Sequence, residues 1–385
     1  MLPRERVATT LSFREPDLVP WGEHSIDYTT YEMVLGRESL VQGKMKQTRA
    51  MWEGRRDDVV ASYKRDVPDL VEALGMDIVT IGMCPAKGAR ETPLEQIDHE
   101  TFRDSAGNIH RVSKTTHDLR PLKLVPQETV LPTVEDLQRQ IDDLDANGVP
   151  KPDESVWEVS QHVMDRLKAT HWFNICIGDI GYPMVGRTDE EQYLNLALHP
   201  ELHAKLTELQ AKRVIAMLPW YAERGYDSVM PCGDLGSSTG LLASPRILRE
   251  HVVYWWKEYT EAAKKLGLRV IKHCCGCIWE ALDCIVDGGY EGYEGIQASG
   301  GMDMKRLKEL YGDKLVLWGG VTNESLILGT PEDIEREALY ALKYGAPGGG
   351  FILGASHSLA VGTKYENLMA MRNARERWGG YPISL

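Results

Sequence analysis

The sequence predicts an α/β protein built as a (β/α)8 barrel, the TIM barrel, with an N-terminal extension and insertions. Three observations predict it. From residue 154 onward, short runs rich in branched apolar residues alternate with longer runs of helical spacing. Counted from LVPWGEH (18–24), there are about eight such apolar runs separated by helices. The 36 glycines and the 43% apolar content suit a large core with many tight strand-to-helix turns. The 385 residues are read as one barrel domain over 1–385.

Taken in order, residues 3–15 (PRERVATTLSFRE) have the pattern of a basic amphipathic helix, which Pro16 and Asp17 stop. LVPWGEH then reads as the first strand, with Trp21, Glu23 and His24 at its exit. Tyr31 to Ala61 is charged and weakly periodic, so it is expected as an insertion over one face. DLVEALGMDIVTIG (69–82) predicts a helix and the second strand. TFRDSAGNIHRV (101–112) predicts a hairpin, because Ser-Ala-Gly-Asn between two β-prone runs is turn chemistry. Leu131 to Val149 predicts a short surface helix capped by Thr133, with acidic residues in its first turn.

The regular part follows. ESVWEVSQHVMDRLKAT is a helix, and WFNICIGDIGYP a strand ending in Asp179. A long helix from His199 to Gly225 leads to YDSVMPCGDLGSS, a strand ending in Asp234. Ser244-Pro245 opens the next helix, as a cap followed by proline should. Strands at 268–273, 293–301, 314–321 and 348–358 then alternate with helices at 278–288, 302–312 and 330–345, and a last helix starts near Tyr365.

The chemistry concentrates in LRVIKHCCGCIWEALDC (268–284), a strand, a polar and sulfur-bearing turn, and a helix. A barrel carries its active site at such strand exits. His273 and Cys275, one residue apart, can bind one soft cation, because the turn leaves both side chains at the same mouth. The spacing is not the Cys-x-x-Cys of a structural zinc knuckle. Cys274, Cys277 and Cys284 match no iron–sulfur spacing and are read as packing residues. Glu23, His24, Asp179 and Asp234 also fall at strand exits, where each suits a substrate pocket and equally suits capping the following helix. Trp21 joins them as a substrate-binding candidate. The chain has ten tryptophans and sixteen tyrosines against four phenylalanines. Aromatic rings with polar tips near strand ends suit a pocket for a small aromatic compound, and they are also ordinary barrel filler.

The net charge of −13 argues against nucleic acid and anionic membrane as partners. No apolar run is long enough to span a bilayer, and the N-terminus lacks a signal-peptide core. Seven cysteines, four of them crowded between 274 and 284, suit a reducing compartment, so a cytoplasmic location is expected.

The start Arg4-Glu5-Arg6-Val7-Ala8 through Pro16-Asp17 and Pro20, the strand exit His273-x-Cys275-Gly276, and the closing Leu353-x-x-x-His357 before Tyr365-Glu366-Asn367-Leu368 resemble the uroporphyrinogen decarboxylase superfamily. The resemblance runs over nearly the whole chain and is weakest at 31–70 and 85–150. One branch of that superfamily decarboxylates a tetrapyrrole without a cofactor and carries an arginine-rich N-terminal segment that binds carboxylates. WGEHSIDY stands there in this chain, with Glu23 in it, which is the wrong charge for that substrate. The other branch contains zinc-dependent methyltransferases that move a methyl group to or from a corrinoid protein, with zinc held by His-x-Cys and a later Cys. His273 and Cys275 match the first two ligands, and the third position falls on His357, still a zinc ligand by type.

The resemblance therefore implies zinc at His273, Cys275 and His357, with Glu294 or Gln297 as candidates for the fourth position. It further implies a cobalamin-type corrinoid carried by a partner protein, since the chain has no D-x-H-x-x-G motif of its own. The expected activity is transfer of a methyl group from a small methoxylated compound, an aromatic methyl ether among them, to cobalt. The alternatives are transfer from methylcorrinoid to a thiol, a metal-free lyase of the decarboxylase type, and a non-catalytic tetrapyrrole- or corrinoid-binding protein.

Overall fold

The computed structural model describes residues 1–385. In chain order, β1 (Ile78–Thr80) is followed by β2 (Glu95–Gln96), β3 (Thr101–Arg103), β4 (Ile109–Val112) and β5 (Leu119–Lys123). Then come β6 (Trp172–Gly178), β7 (Ser228–Cys232), β8 (Arg269–His273), β9 (Gly292–Ile296), β10 (Val316–Val321) and β11 (Phe351–Ala355). β1 and β6 to β11 form a seven-stranded parallel sheet in sequence order, while β2 to β5 form a separate antiparallel sheet. The parallel strands read as continuous apolar runs because both of their faces are covered.

One face of the parallel sheet is filled by side chains. Ile78, Trp172, Met230, Ile271, Val316, Trp318 and Ile352 cluster there with Val7 and Leu11. The first helix (Pro3–Thr10) thus plugs the end of the sheet where the strands begin. The other face joins the main core beneath the helices, which takes in 68 buried residues. Helix starts follow the expected signals. Thr133 and Thr330 each form reciprocal caps with the Asp three residues on. Ser244 caps a helix entered at Pro245, which takes one π turn at Leu248–Val252 before continuing over Val253–Lys265.

The sheet has seven strands where eight are expected. LVPWGEH is extended, but it makes only isolated bridges, Trp21 to Leu353 in parallel and Leu18 to Gly380 antiparallel. Pro20 has no N–H to give a ladder, and the Trp21 N–H donates to the Asp77 side chain at 2.8 Å instead. The segment still bonds to both sides. Leu353 N donates to the Pro20 carbonyl at 2.9 Å, and Asp77 N to the Trp21 carbonyl at 2.8 Å. Gly22 permits this approach, since a Cβ there would lie 2.8 Å from Ile78 and Trp318 atoms. Fully buried Asp77 also pairs with Arg6 and Arg375, tying both ends of the chain to this edge.

Other expectations are corrected in the same way. The first helix stops at Thr10, and Phe13 turns the chain at φ 52°. The weakly periodic stretch 31–61 runs through three helices, Tyr28–Leu35, Met45–Trp52 and Arg56–Leu74, joined by non-helical segments at 36–44 and 53–55. The hairpin at 101–112 is present, but it is the middle of the four-stranded sheet. That sheet docks on the three helices, with Met45 N donating to the His117 carbonyl at 3.0 Å and Phe102 packing edge-on to Trp52. Helices at Asp189–Leu198 and Asn323–Leu328 are additional. No helix is long and apolar enough to cross a membrane.

Candidate metal centre and active site

Register assembles the site. Cys232, His273 and Glu294 are successive Cα partners across β7, β8 and β9. Glu294 is buried, with 1% of its side chain exposed. One of its oxygens meets Nδ1 of His273, and the other meets Nδ1 of His24 at 3.1 Å. His24 reaches this point because Trp21 and Gly22 hold the preceding segment beside β11. Both imidazoles present Nε2 away from the carboxylate, which is how metal-binding histidines are commonly oriented.

His357, just past β11, completes the group. The His24 ring lies 4.4 Å from His273 and 5.1 Å from His357, and His273 lies 5.3 Å from His357, centroid to centroid. One nitrogen from each of the three lies within 4.8 Å of the others. In His357, Nδ1 lies 2.7 Å from the Ser358 N–H and 2.8 Å from the Ser358 hydroxyl.

A second group shares His273. Asp234, His273 and Cys275 also bring one donor atom each within 4.8 Å. Asp234 Oδ1 accepts the Cys275 N–H at 3.2 Å and its S–H at 3.1 Å. The turn depends on Gly276, at φ +85°, where a Cβ would come within 2.7 Å of the Gly236 and Ser237 backbone. The Gly276 N–H donates to Gln297 Oε1 at 3.0 Å. The expected ligands His273, Cys275 and His357 therefore divide between two groups that meet at His273. Of the two candidates for a fourth position, Glu294 engages two imidazoles and Gln297 props the turn.

Burial and pairing set the charges. Burial works against the charge on Glu294, but His24 and His273 outweigh it and hold the carboxyl well below its ordinary range. Burial likewise opposes charge on His24, and Glu294 beside it overcomes this, raising the imidazole to about 9. Glu23 is pushed up to about 8 by burial, against the Trp21 indole and Ala355 N–H groups that donate to it. Burial, and then the nearness of His24 and His273, lower His357. The Cys275 thiol is driven up by burial and by Asp234. Asp234, whose side chain is 48% exposed, is lowered by the Cys275 hydrogen bonds against partial desolvation.

These groups form the polar end of a cavity of about 650 Å³. Glu23, His24, Asp234, His273 and His357 line it. Trp21 does not: it is fully buried in the core, with its indole N–H on Glu23 at 2.8 Å. Asp179 lies in a neighbouring cavity of about 340 Å³ that shares Gly233 and Asp234. Its carboxylate is 3.1 Å from the ammonium of Lys272, whose side chain is 0% exposed.

Lys272 was not legible as a site neighbour, although a lysine inside an apolar strand run is itself a signal for a buried partner. Its Nζ also donates to the Gly233 carbonyl at 2.8 Å and the His273 carbonyl at 2.9 Å, so the pair ties three strand exits together. Cys176 and Cys232, neighbours on β6 and β7, line the cavity beside His24 and were likewise unforeseen. Cys274 and Cys284 are buried and Cys277 is half-buried, and all seven cysteines are free thiols.

Fold and site define a class first: a parallel α/β protein with a carboxylate-oriented imidazole cluster at the carboxyl ends of its strands. Residues 122–378 match the family model for uroporphyrinogen decarboxylase (URO-D), and the chain belongs to that family. It is similar in structure to a methyltransferase from Methanosarcina mazei, with a TM-score of 0.64 and 15% identity over 98% of each chain. At that identity the likeness shows the fold. A chitinase from Chromobacterium violaceum aligns with a TM-score of 0.35 and 8% identity over 59% of this chain and 85% of that one, too little to carry an argument. The same holds for 3-keto-D-glucoside 4-epimerase YcjR from E. coli, with a TM-score of 0.35 and 13% identity over 64% of this chain and 95% of that one. No curated protein matches the chain in sequence.

Proposed function

We propose that the protein is a zinc-dependent methyltransferase that moves a methyl group from a small methoxylated compound, aromatic methyl ethers included, to the cobalt of a corrinoid carried by another protein. The observation that carries this reading is the Glu294-oriented pair His24 and His273, facing His357 at the polar end of a large cavity. The donor set fits zinc, which accepts imidazole and thiolate in fours with one open position at a catalytic site. His273 is the central ligand, with His24 and His357 on one side and Cys275 with Asp234 on the other. The structural likeness to a methyltransferase and the family membership agree with the reading. In the same reading the Trp21 segment takes the place of the eighth strand, residues 1–385 act as one barrel, and the enzyme works in the reducing cytoplasm.

A bound zinc would supply Lewis-acid stabilisation of the departing oxygen. The methyl carbon forms its bond to cobalt as its bond to oxygen breaks. The electron pair for the new bond would come from the reduced corrinoid of the partner protein, and the oxygen would leave with the pair of the broken bond and take up a proton from solvent. The chain's own part is orientation. Glu294 holds the His24 and His273 rings, and the Lys272–Asp179 pair fixes the backbone at the His273 and Gly233 exits.

The test begins with the metal content of the purified protein, before and after zinc is supplied. The zinc-loaded protein is then mixed with cob(I)alamin and a methoxylated aromatic, and formation of methylcobalamin is followed by absorbance. Zinc uptake with methylcobalamin formation is expected. No zinc uptake overturns the reading, and methylation of a thiol by methylcobalamin with no reverse reaction would instead assign the thiol-directed variant.

A further inference from the structure

The cavity has two chemically different ends. His24, His273, His357 and Asp234 mark one of them, while Tyr31, Val67, Val71, Met76 and Val159 wall the other. Of the 25 lining residues 15 are hydrophobic, and none is lysine or arginine. Two cations close to the lining are already committed elsewhere. The Arg56 guanidinium reaches lining Cys84 Sγ at 3.7 Å but donates to the Pro85 carbonyl at 2.9 Å and pairs with Glu158, and Lys272 pairs with Asp179 at 3.1 Å. Lys44, two residues from lining Gln42, pairs with Asp27 at 2.7 Å. The two lining carboxylates, Glu23 and Asp234, belong to the imidazole end. The apolar end therefore offers no charge of either sign.

An anion seated at that end would lose its water and gain no counter-charge, and a cation would fare no better. Resting on the methyl-transfer reading, we propose that the methyl donor is an uncharged molecule, a neutral methyl ether. Its oxygen is held at the His24–His273–His357 end, and its apolar body lies against Tyr31, Val71 and Met76. Donors bearing a carboxylate or sulfonate remote from the ether oxygen are excluded, as are polycarboxylate tetrapyrroles. The specificity arises in the wall of the cavity and is separate from the chemistry at its polar end.

The test uses three probes of matched size on the zinc-loaded full chain: 4-methoxytoluene, 4-methoxybenzoate and (4-methoxyphenyl)trimethylammonium. Their binding is measured by calorimetry and their demethylation with cob(I)alamin by absorbance. The neutral probe is expected to bind at least tenfold more tightly than either charged one. Val71→Arg at the apolar end is expected to narrow or reverse the preference over the benzoate. Met83→Lys, at a lining position 44% exposed, repeats the test where folding is not at stake. Equal or tighter binding of either charged probe, or binding of none of the three, overturns the proposal. A clear preference for the neutral probe with no demethylation of any probe would instead overturn the methyl-transfer reading while the charge selection stands.

Discussion

Glu294 and His24 stand 270 residues apart in the chain and 3.1 Å apart in the fold, and the same carboxylate also grips His273. One buried acid thus sets two rings at once. It takes up the Nδ1 of each and leaves each Nε2 for whatever occupies the cavity. The carboxylate is shielded from water and held ionised by both imidazoles, so the arrangement is rigid before any ligand arrives.

Glu294→Gln keeps the size and one acceptor but removes the charge that orients both rings. Zinc affinity is expected to fall by about 10- to 100-fold, as when other carboxylates behind metal-bound histidines are lost. Competition with a chromophoric chelator measures it, and circular dichroism checks that the fold persists. An unchanged affinity would mean that the histidines do not hold the metal.

Zinc stoichiometry in single variants separates the two donor groups that meet at His273. His273→Ala is expected to lose zinc altogether, because both groups need it. If the three imidazoles form the core, His24→Ala and His357→Ala also lose zinc and Cys275→Ala retains most of it. Loss in Cys275→Ala with retention in His24→Ala would move the centre to the Asp234–His273–Cys275 side.

Much of the fold can be read from local pattern, because a parallel strand covered on both faces leaves an unbroken apolar run and several helices open on a capping Thr, Ser or Asp. The first strand escapes this logic, since Pro20 and the Asp77 side chain replace ladder bonds that no spacing rule reveals. The helices between 28 and 74 are obscured for another reason. Fully buried Asp66 accepts from Ser39, Ser62, Arg37 and Arg65, so polar residues occupy inward positions and break the apolar period. At the site, His273 and Cys275 are legible as neighbours on one turn. The roles of Glu294 and His24 depend on a meeting of distant segments that sequence spacing cannot express.

The Lys272–Asp179 pair offers a test of how the strand exits are held. Asp179→Asn leaves a fully buried ammonium without its counter-charge and is expected to cost about 3–5 kcal/mol in urea unfolding. In the double variant Lys272→Met with Asp179→Leu the isolated charge disappears, so the loss is expected to be smaller than in the single variant. A cost below about 0.5 kcal/mol for Asp179→Asn, the range of an ordinary surface substitution, would show that the pair holds nothing.

Lys308 sets the pH dependence most open to measurement. It lies on the helix Met304–Tyr311, and its Nζ donates to the Gly349 carbonyl at 2.5 Å. Burial lowers its pKa from 10.5 to about 8, with Glu15 opposing the shift only weakly. Between those two values the unfolded chain binds a proton that the folded chain has released. Stability from this group therefore rises as pH climbs from about 8 towards 10.5, and below about 8 the folded protein carries the full penalty of the buried charge. Other groups titrate in the same range, so the informative quantity is a difference. Subtracting the urea-unfolding free energy of Lys308→Met from that of the wild type at each pH should give a curve that is flat below about 8 and rises above it. A flat difference across the whole range would show that Lys308 is as well solvated in the folded protein as in the unfolded chain, and a falling one that its charge is stabilised there.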